Sequence, residues 1–173
     1  PYIVVLQRTK CTDEQFPADA LLAAGYHAAF QGEKSYNGVA ILAREELCEV
    51  RPGLCDQVED PQARVLAATV GDVRVFSIYA PNGQAVGSAP YLYKLEWYER
   101  LTRWLSTQDN ARERVLVCGD FNVAPNDADV PEPVLCRGAR MCPDAARAPF
   151  RAPCPAAFSG PHTPPPPPPG AGR

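Results

Sequence analysis

The sequence predicts an α/β protein, and three observations carry that prediction. Short apolar runs of strand length alternate with helical patterns over residues 1–125. Two of these runs are separated only by Gly71-Asp72, a turn pair typical of an antiparallel hairpin. Residues 91–106, YLYKLEWYERLTRWLS, form the clearest amphipathic helix of the chain. At 173 residues and 46% hydrophobic, the chain is long enough for one globular domain with a sizeable core.

The first strand is expected at residues 3–6, an uninterrupted apolar run of the kind that is covered on both faces. The chain begins at this strand without a methionine, so we expect its natural beginning to be missing. It contains neither the basic and apolar regions of a signal peptide nor an apolar run of membrane-spanning length. We therefore expect a soluble, cytoplasmic protein with no membrane partner.

The elements that follow are predicted from capping and turn residues. Thr12 with Gln15 resembles a capping box. Pro17 suits the first turn of a short helix over residues 18–24, which ends at Gly25. Further strands are expected at residues 38–42, 65–70, 73–79 and 115–117, the last as another buried strand. The two strands around Gly71-Asp72 should pair antiparallel.

One face of the predicted helix over residues 91–106 carries large apolar side chains: Trp97, Tyr98, Leu101, Trp104 and Leu105. The opposite face carries two i,i+4 charge pairs, Glu96 with Arg100 and Glu99 with Arg103. Two tryptophans at helical spacing favour a face that packs on the core. The alternative is a platform on which nucleic acid bases stack.

Residues 126–173 form a separate region, rich in proline and alanine and with little periodicity. The run from Pro164 to Pro169 is expected to be solvated polyproline II that joins no core. We expect this tail to be degenerate and disordered. A proline-rich ligand for a recognition module and an out-of-frame translation of GC-rich DNA are the alternatives.

Charge and cysteine content exclude some functional classes. A net charge of −3 and a pI near 5.4 argue against binding nucleic acid through overall basicity, but they leave room for a locally basic groove. The seven cysteines are an odd number without a C-x-x-C pair, which argues against a disulfide framework and a zinc site. We expect free thiols in a reducing compartment.

The stretch VLVCGDFNVAP places Asp120 and Asn122 at the end of a strand. If the extended geometry continues, side chains two residues apart point the same way, so the carboxylate and the amide meet at one spot. Such a pair suits phosphoryl chemistry, because the carboxylate can accept a proton from water while the amide holds and orients. The alternative is an Asx-type turn after a strand.

Four further polar side chains lie at strand ends. Tyr79 and Asn82, in YAPNG, follow the strand over residues 73–79, and Asn37, in YNGVA, precedes another strand. Arg64 stands at the start of the strand over residues 65–70, where it is either a phosphate contact or a solvated charge. Taken singly, YAPNG and YNGVA are also ordinary turns.

Six motifs occur together and in order: LQ-x-TKC, YNGVAI, DPQARV, YAPNG, YKLEW and GDFNVAP. Together they resemble the exodeoxyribonuclease III type of apurinic/apyrimidinic endonuclease, within the endonuclease/exonuclease/phosphatase superfamily, whereas GDFN alone indicates only the superfamily. The resemblance covers residues 1 to about 125. It implies a four-layered α/β sandwich, with two mixed sheets packed face to face and helices outside, and we expect that fold to be incomplete in this chain.

The resemblance also implies a Mg²⁺- or Mn²⁺-dependent hydrolase of base excision repair, which cuts double-stranded DNA at abasic sites and removes nucleotides from 3′ ends. It implies that Asp120 orients or deprotonates the attacking water, that Asn122 holds phosphate and water, and that Tyr79 lies beside the scissile phosphate. The substrate-binding positions are expected to be Asn82, Arg64, Asn37 and Lys94. We expect the protein to act as a monomer.

One position departs from the family pattern. The family motif LQETK supplies a glutamate that ligates the metal, and this chain has Arg8 at that position. A guanidinium has no lone pair to offer Mg²⁺. A unit positive charge about 4 Å from a divalent cation also costs roughly 8 kcal/mol at an effective dielectric of about 20. We therefore expect no intact metal site and weak metal binding.

Other regions of the family are expected to be missing as well. Its additional N-terminal strand and its C-terminal aspartate and Asp-His pair have no counterpart, and His27 and His162 lie outside the motifs. The alternative to an active nuclease is an inactive fragment or a DNA-binding pseudoenzyme, in which Arg8 contacts a phosphate directly. A phosphoesterase acting on RNA or on a small phosphate ester is a third hypothesis, against which YAPNG and YKLEW speak.

Overall fold

The computed structural model describes residues 1–107 and 114–124. The predictions for the tail over residues 126–173, including the polyproline run and His162, lie outside the described residues. In chain order the strands are β1 Ile3–Gln7, β2 His27–Gln31, β3 Val39–Ala43, β4 Leu47–Pro52, β5 Val65–Val70, β6 Val73–Tyr79 and β7 Arg114–Asp120. The helices are α1 Ala18–Ala23 and α2 Ala89–Thr107, and a 3₁₀ turn spans Asp13–Gln15.

The described strands form two sheets. One has the order β1-β3-β2, with antiparallel pairing throughout. The other has the order β4-β5-β6-β7, in which β4, β5 and β6 pair antiparallel and β7 runs parallel to β6. Of the two sheets expected to be mixed, only the second is mixed within the described part of the chain.

The sheets pack face to face, and helical segments cover both outer faces. Val39 and Ile41 of β3 share a buried cluster with Leu66 of β5 and Val75 of β6, which fills the space between the sheets. On the far side of the second sheet, alternate residues pack against α2. On the far side of the first, Phe16, just before α1, stacks on Phe30 of β2 with ring centroids 4.2 Å apart. This arrangement confirms the four-layered α/β sandwich.

The hairpin and the first helical segment agree closely with the prediction made from the sequence. Strands β5 and β6 have the predicted bounds and pair antiparallel across Gly71-Asp72. The predicted capping box is present, but it starts a 3₁₀ turn, and α1 begins separately after Pro17.

Two strands were predicted to be more buried than they are. Strand β1 lies at the edge of its sheet among the described strands, and Leu6 is 36% exposed. Strand β7 is also an edge strand there, and Leu116 is 42% exposed. Both predictions were wrong for one reason: an uninterrupted apolar run shows that a segment prefers a strand, but not how many neighbours cover it.

Helix α2 buries the predicted face. Trp97, Tyr98 and Leu101 are at most 3% exposed, and Trp104 makes an edge-to-face contact with Phe76 at 5.0 Å. The core assignment is confirmed, and a base-stacking platform is wrong because these rings lie against β5 and β6. Arg100, predicted on the solvent face, is only 8% exposed and pairs with Asp56 and Asp60.

Other predictions concern thiols and membranes. Among the described residues, Cys11, Cys48, Cys55 and Cys118 are free, as predicted. No helix in the described ranges combines the length and apolar character needed to span a bilayer. His27, which lies outside the motifs, is exposed at the start of β2.

Candidate active site

The candidate site lies where β6 and β7 end. Because these strands are parallel neighbours, their last residues, Tyr79 and Asp120, are paired in register at the same edge of the sheet. Gly119 allows the close approach: a Cβ at this position would lie 1.8 Å from the carbonyl oxygen of Ile78. A side chain there would push the strands apart and separate Asp120 from Tyr79.

Strand β1 brings a third element to the same place. Gln7 Nε2 donates to Ser77 Oγ at 3.3 Å, and Ser77 Oγ donates to the carbonyl of Leu6 at 3.1 Å, so the end of β1 is fixed to β6 across the two sheets. Arg8 follows directly, with its guanidinium carbon 6.0 Å from the ring centroid of Tyr79. Arg8, which the resemblance puts at a metal-ligand position, therefore lies at the candidate site.

Asp120 and Asn122 meet through a turn rather than through continued extended backbone. Asn122 has φ 49°, and its backbone N–H donates to Asp120 Oδ1 at 3.0 Å, which is an Asx-type arrangement. The prediction that the backbone stays extended from Asp120 to Asn122 was therefore wrong. The alternative interpretation, an Asx-type turn after the strand, is what the structure shows. Asn122 Nδ2 donates to the carbonyl of Ala80 at 2.9 Å, which links this turn to the segment after β6.

Asn82 completes the connection between the two strand ends. Its Nδ2 donates to Asn122 Oδ1 at 3.2 Å. One oxygen lone pair and one N–H of the Asn122 amide are used by these protein contacts, which leaves one of each for a ligand. The structure thus places Asp120, Asn122, Asn82 and Tyr79 together.

Lys94 lies beneath this group rather than on its surface. Its side chain is fully buried, and Nζ donates to the carbonyl of Asn122 at 2.7 Å and to that of Asn82 at 3.4 Å. Gly83 leaves room for it, since a Cβ there would lie 2.8 Å from Lys94 Cδ. The expected direct contact of Lys94 with substrate does not fit this burial. The ammonium instead ties together the two loops that carry the amides.

Replacing Lys94 with methionine should loosen both loops. The carbonyl of Asn122 would lose a charged donor, and leaving a buried acceptor unsatisfied costs about 1–3 kcal/mol. We expect the backbone amides around residues 82 and 122 to exchange with deuterium about tenfold faster in Lys94→Met. The matched control is Lys34→Met, because Lys34 is exposed. Equal exchange in the two variants would contradict this role.

Arg64 is held against Tyr79 by hydrogen bonds. Its Nη1 donates to the Tyr79 carbonyl at 3.0 Å, its Nε donates to Gln62 Oε1 at 2.7 Å, and its guanidinium carbon lies 5.0 Å from the Tyr79 ring centroid. The backbone N–H of Tyr79 donates to the Arg64 carbonyl at 2.8 Å. The Arg64 side chain is therefore oriented before any ligand binds.

Asn37 is connected to this cluster indirectly, through Glu33. Asn37 Nδ2 donates to Glu33 Oε1 at 2.6 Å, and the backbone N–H of Ala63 donates to Glu33 Oε2 at 2.8 Å. The same loop is joined to the end of β1, because the N–H of Lys10 donates to the Asn37 carbonyl at 3.1 Å. Sequence reasoning did not identify Glu33, which belongs to no strand end and stands four residues before its partner.

Two tyrosines near the site remain neutral donors. Burial and the negative charge of Asp120 raise the pKa of Tyr98, whose hydroxyl donates to the Phe121 carbonyl between the two site residues. Burial and Asp60 raise the pKa of Tyr93 to about 12. Both phenols therefore keep their protons at neutral pH, and that of Tyr98 fixes the backbone that carries Asp120.

The described residues do not fit a bound Mg²⁺ or Mn²⁺. They contain no group of three histidine, cysteine or acidic side chains that could hold a metal ion. Asp120 supplies one carboxylate, Glu33 is held by hydrogen bonds from Asn37 and the Ala63 backbone, and Arg8 adds a cation. Mg²⁺ requires a near-octahedral set of oxygen ligands, and a guanidinium cannot supply one.

Comparison with known proteins identifies the family. The pattern of the endonuclease/exonuclease/phosphatase family matches residues 1–173, and the chain belongs to that family. It is 30% identical over 135 residues to exodeoxyribonuclease III from Haemophilus influenzae, a match that covers 75% of this chain and 51% of that protein. It is 31% identical over 137 residues to DNA repair nuclease APEX1 from Danio rerio, covering 77% of this chain and 44% of that protein.

Solved structures give the same result. The 3′ phosphatase NExo from Neisseria, bound to a product DNA hairpin, has a TM-score of 0.83 at 40% identity, and the match covers 87% of this chain and 58% of that one. An AP endonuclease from Archaeoglobus fulgidus has a TM-score of 0.83 at 35% identity, covering 87% and 58%. These matches confirm the resemblance read from the six motifs. The chain spans about half the length of the curated relatives it matches.

Proposed function

We propose that this chain hydrolyses phosphodiester bonds of double-stranded DNA, at abasic sites and at 3′ ends, as a monomeric nuclease of base excision repair. The observation that carries the proposal is the register pair of Tyr79 and Asp120, with the amides of Asn82 and Asn122 beside it, in a chain of this family. The names of the relatives, an exodeoxyribonuclease and a DNA repair nuclease, support DNA as the substrate.

The proposed chemistry assigns one task to each side chain. Asp120 accepts a proton from water as the water oxygen forms a bond to phosphorus and the bond to the leaving oxygen breaks. Asn122, fixed by Asn82 and by the Ala80 carbonyl, holds water and a phosphoryl oxygen with its remaining acceptor and donor. Tyr79 donates from its phenol, and Arg64 balances the charge that develops on the phosphoryl oxygens.

Dependence on Mg²⁺ or Mn²⁺ is part of the proposal for the reaction as a whole. Among the described residues, Asp120 and Asn122 could contribute oxygen atoms to such an ion, which is fewer than the near-octahedral set that Mg²⁺ requires. No step is assigned to the metal, because those residues lack a full ligand set.

The experiment is cleavage of a labelled duplex that carries one abasic site, with Mg²⁺, with Mn²⁺ and with chelator. A duplex with a recessed 3′ end tests the exonuclease activity, and unlabelled RNA and phosphoinositide serve as competitors. We expect cleavage that depends on the metal ion. Unlabelled abasic DNA should reduce cleavage of the labelled duplex by competition, whereas RNA and phosphoinositide should not. Preferential competition by RNA or phosphoinositide would contradict the proposed substrate.

A second candidate function is DNA binding without cleavage. The observation that favours it is Arg8, whose guanidinium lies at the Tyr79 ring where the family pattern has a metal-ligating carboxylate. A folded chain that binds the abasic duplex but does not cut it with either metal would favour this candidate over hydrolysis.

A further inference from the structure

Glu33 joins the two sheets beside the candidate site. It lies in the β2–β3 loop of the first sheet, where its Oε1 accepts a hydrogen bond from Asn37 Nδ2 at 2.6 Å. Its Oε2 accepts at 2.8 Å from the backbone N–H of Ala63, in the segment that enters β5 of the second sheet. Ala63 immediately precedes Arg64. One carboxylate therefore bridges the β2–β3 loop and the residue before Arg64.

A backbone hydrogen bond reinforces this bridge. The N–H of Gly38 donates to the Ala63 carbonyl at 3.0 Å, so both backbone polar groups of Ala63 bond to the β2–β3 loop. Ala63 is only 1% exposed, and a buried N–H needs an acceptor. Hydrogen bonds to a carboxylate are also stronger than those between neutral groups. Without Glu33, the segment at Ala63 should shift toward a new acceptor.

The conformation of the β2–β3 loop depends on the same carboxylate. Ser35 has φ 70° and Asn37 has φ 46°, values that a non-glycine residue keeps where surrounding contacts enforce them. For Asn37 these contacts are the hydrogen bond to Glu33 and the one that its carbonyl accepts from the N–H of Lys10. Glu33 thus holds the loop as well as the entry to β5.

Arg64 takes its orientation from the segment that Glu33 holds. Its Nε donates to Gln62 Oε1 at 2.7 Å, and its Nη1 donates to the Tyr79 carbonyl at 3.0 Å. These contacts depend on the path of residues 62–64, because Gln62 and Arg64 stand on either side of Ala63. A shift at Ala63 would therefore move the guanidinium, whose carbon now lies 5.0 Å from the centroid of the Tyr79 ring.

We propose that Glu33 is a positioning residue for Arg64: its carboxylate fixes the segment at Ala63 and so holds the Arg64 guanidinium at the end of β6. Glu33 lies outside the six motifs, so the resemblance assigns it no task. The inference rests on the proposed function for the task of Arg64, which is to balance charge on the phosphoryl oxygens. The placement of Arg64 can nevertheless be measured without any cleavage.

The first test is exchange of the Arg64 Nε–H with water, measured by NMR in the ¹⁵N-labelled full chain without DNA. We expect this proton and the Ala63 amide proton to exchange about tenfold faster in Glu33→Ala. Glu33→Gln should resemble wild type, because its Oε1 can accept from Ala63 while its Nε2 donates to the Asn37 amide oxygen once that amide has turned over. The matched control is Glu46→Ala, at an exposed position between β3 and β4. If Glu33→Ala does not fold, Glu33→Asp, which is one methylene shorter, makes the same comparison.

The second test is a double-mutant cycle in cleavage of the abasic duplex. We expect Glu33→Ala to lower kcat about ten- to a hundredfold with KM nearly unchanged, since the proposed task of Arg64 belongs to the transition state. In an Arg64→Ala background the same substitution should cost less than about twofold, because Glu33 acts through Arg64. Losses that simply add, or a loss in Glu33→Gln as large as in Glu33→Ala, would overturn the inference.

The two tests separate this inference from the proposed hydrolysis. Faster Arg64 Nε–H exchange in Glu33→Ala, in a chain whose wild type cuts no duplex, would support the inference and overturn the hydrolysis. Cleavage by the wild type with unaltered Arg64 exchange in Glu33→Ala would overturn the inference and support the hydrolysis.

Discussion

Asp120→Asn is expected to lower the rate of abasic-site cleavage by a factor of about 10²–10⁴, the usual contribution of a positioned general base. The amide is nearly isosteric and can still accept the 3.0 Å hydrogen bond from the Asn122 N–H, so the turn should persist. It cannot take up a proton from water at neutral pH. The loss should therefore appear in the rate of the chemical step, with DNA affinity changed much less.

The control for this prediction is Asp72→Asn, at the tip of the β5–β6 hairpin. Asp72 is exposed and its contact with Arg114, at 3.4 Å, lies between two side chains that are both more than 70% exposed. A pair of this kind contributes little to stability. Asp72→Asn should cleave at the wild-type rate. Cleavage by Asp120→Asn at the rate of this control would exclude Asp120 as the base.

Arg100→Met is expected to lower the free energy of unfolding by about 2–3 kcal/mol. Arg100 donates twice to Asp56, at 2.6 and 3.1 Å, and once to Asp60, at 3.3 Å. Removing one partner of a fully buried ion pair leaves unpaired charge and costs about 3–5 kcal/mol. The cost should be somewhat smaller here because the two carboxylates are 21% and 16% exposed. Urea denaturation measures the change, with the exposed Arg103→Met as the control.

The same contacts give a dependence on pH. The hydrogen bond from Arg100 holds the pKa of Asp56 below its ordinary value of 3.8. A carboxyl whose pKa is lower in the folded state adds stability above its unfolded pKa, and that stability is lost as the pH falls through the folded value. The difference in unfolding free energy between wild type and Arg100→Met should thus be constant at neutral pH and shrink below about pH 4. A constant difference down to pH 2 would contradict this assignment.

The Arg100 contacts also bear on the site. Asp56 and Asp60 lie in the connection between β4 and β5, which leads directly to Arg64. Tyr93 on α2 donates to Asp60 as well, at 3.1 Å to Oδ2. The helix thereby fixes the loop that delivers Arg64 to the Tyr79 ring.

The sequence was sufficient for those elements whose local signals agree with their surroundings. Residues 65–79 combine β-branched runs with a hairpin turn, and both strands formed as predicted. Strands β2 and β4 were missed because their sequences, HAAFQ and LCEVRP, lack a clear alternating pattern. They form through pairing with β3 and β5, a tertiary effect that no short window contains. Arg100 was placed on the wrong face because its acidic partners stand about 40 residues away.

For the candidate site, too, some residues could be predicted from the sequence and others could not. Motif order identified Tyr79, Asp120, Asn122, Asn82 and Arg64, and the fold brings them together. The functions assigned to these residues stay predictions. The buried position of Lys94 and the link made by Glu33 depend on where separate loops end in space, so neither could be read from spacing.

The most direct test of the account is a map of amide chemical shifts in the ¹⁵N-labelled chain, titrated with an abasic duplex in chelator. We expect the largest changes at the ends of β1, β6 and β7, at Arg8, Tyr79, Asn82 and Asp120. Changes concentrated instead in the groove between α1 and β4, near Leu22 and Val50, would contradict a phosphate site at these strand ends.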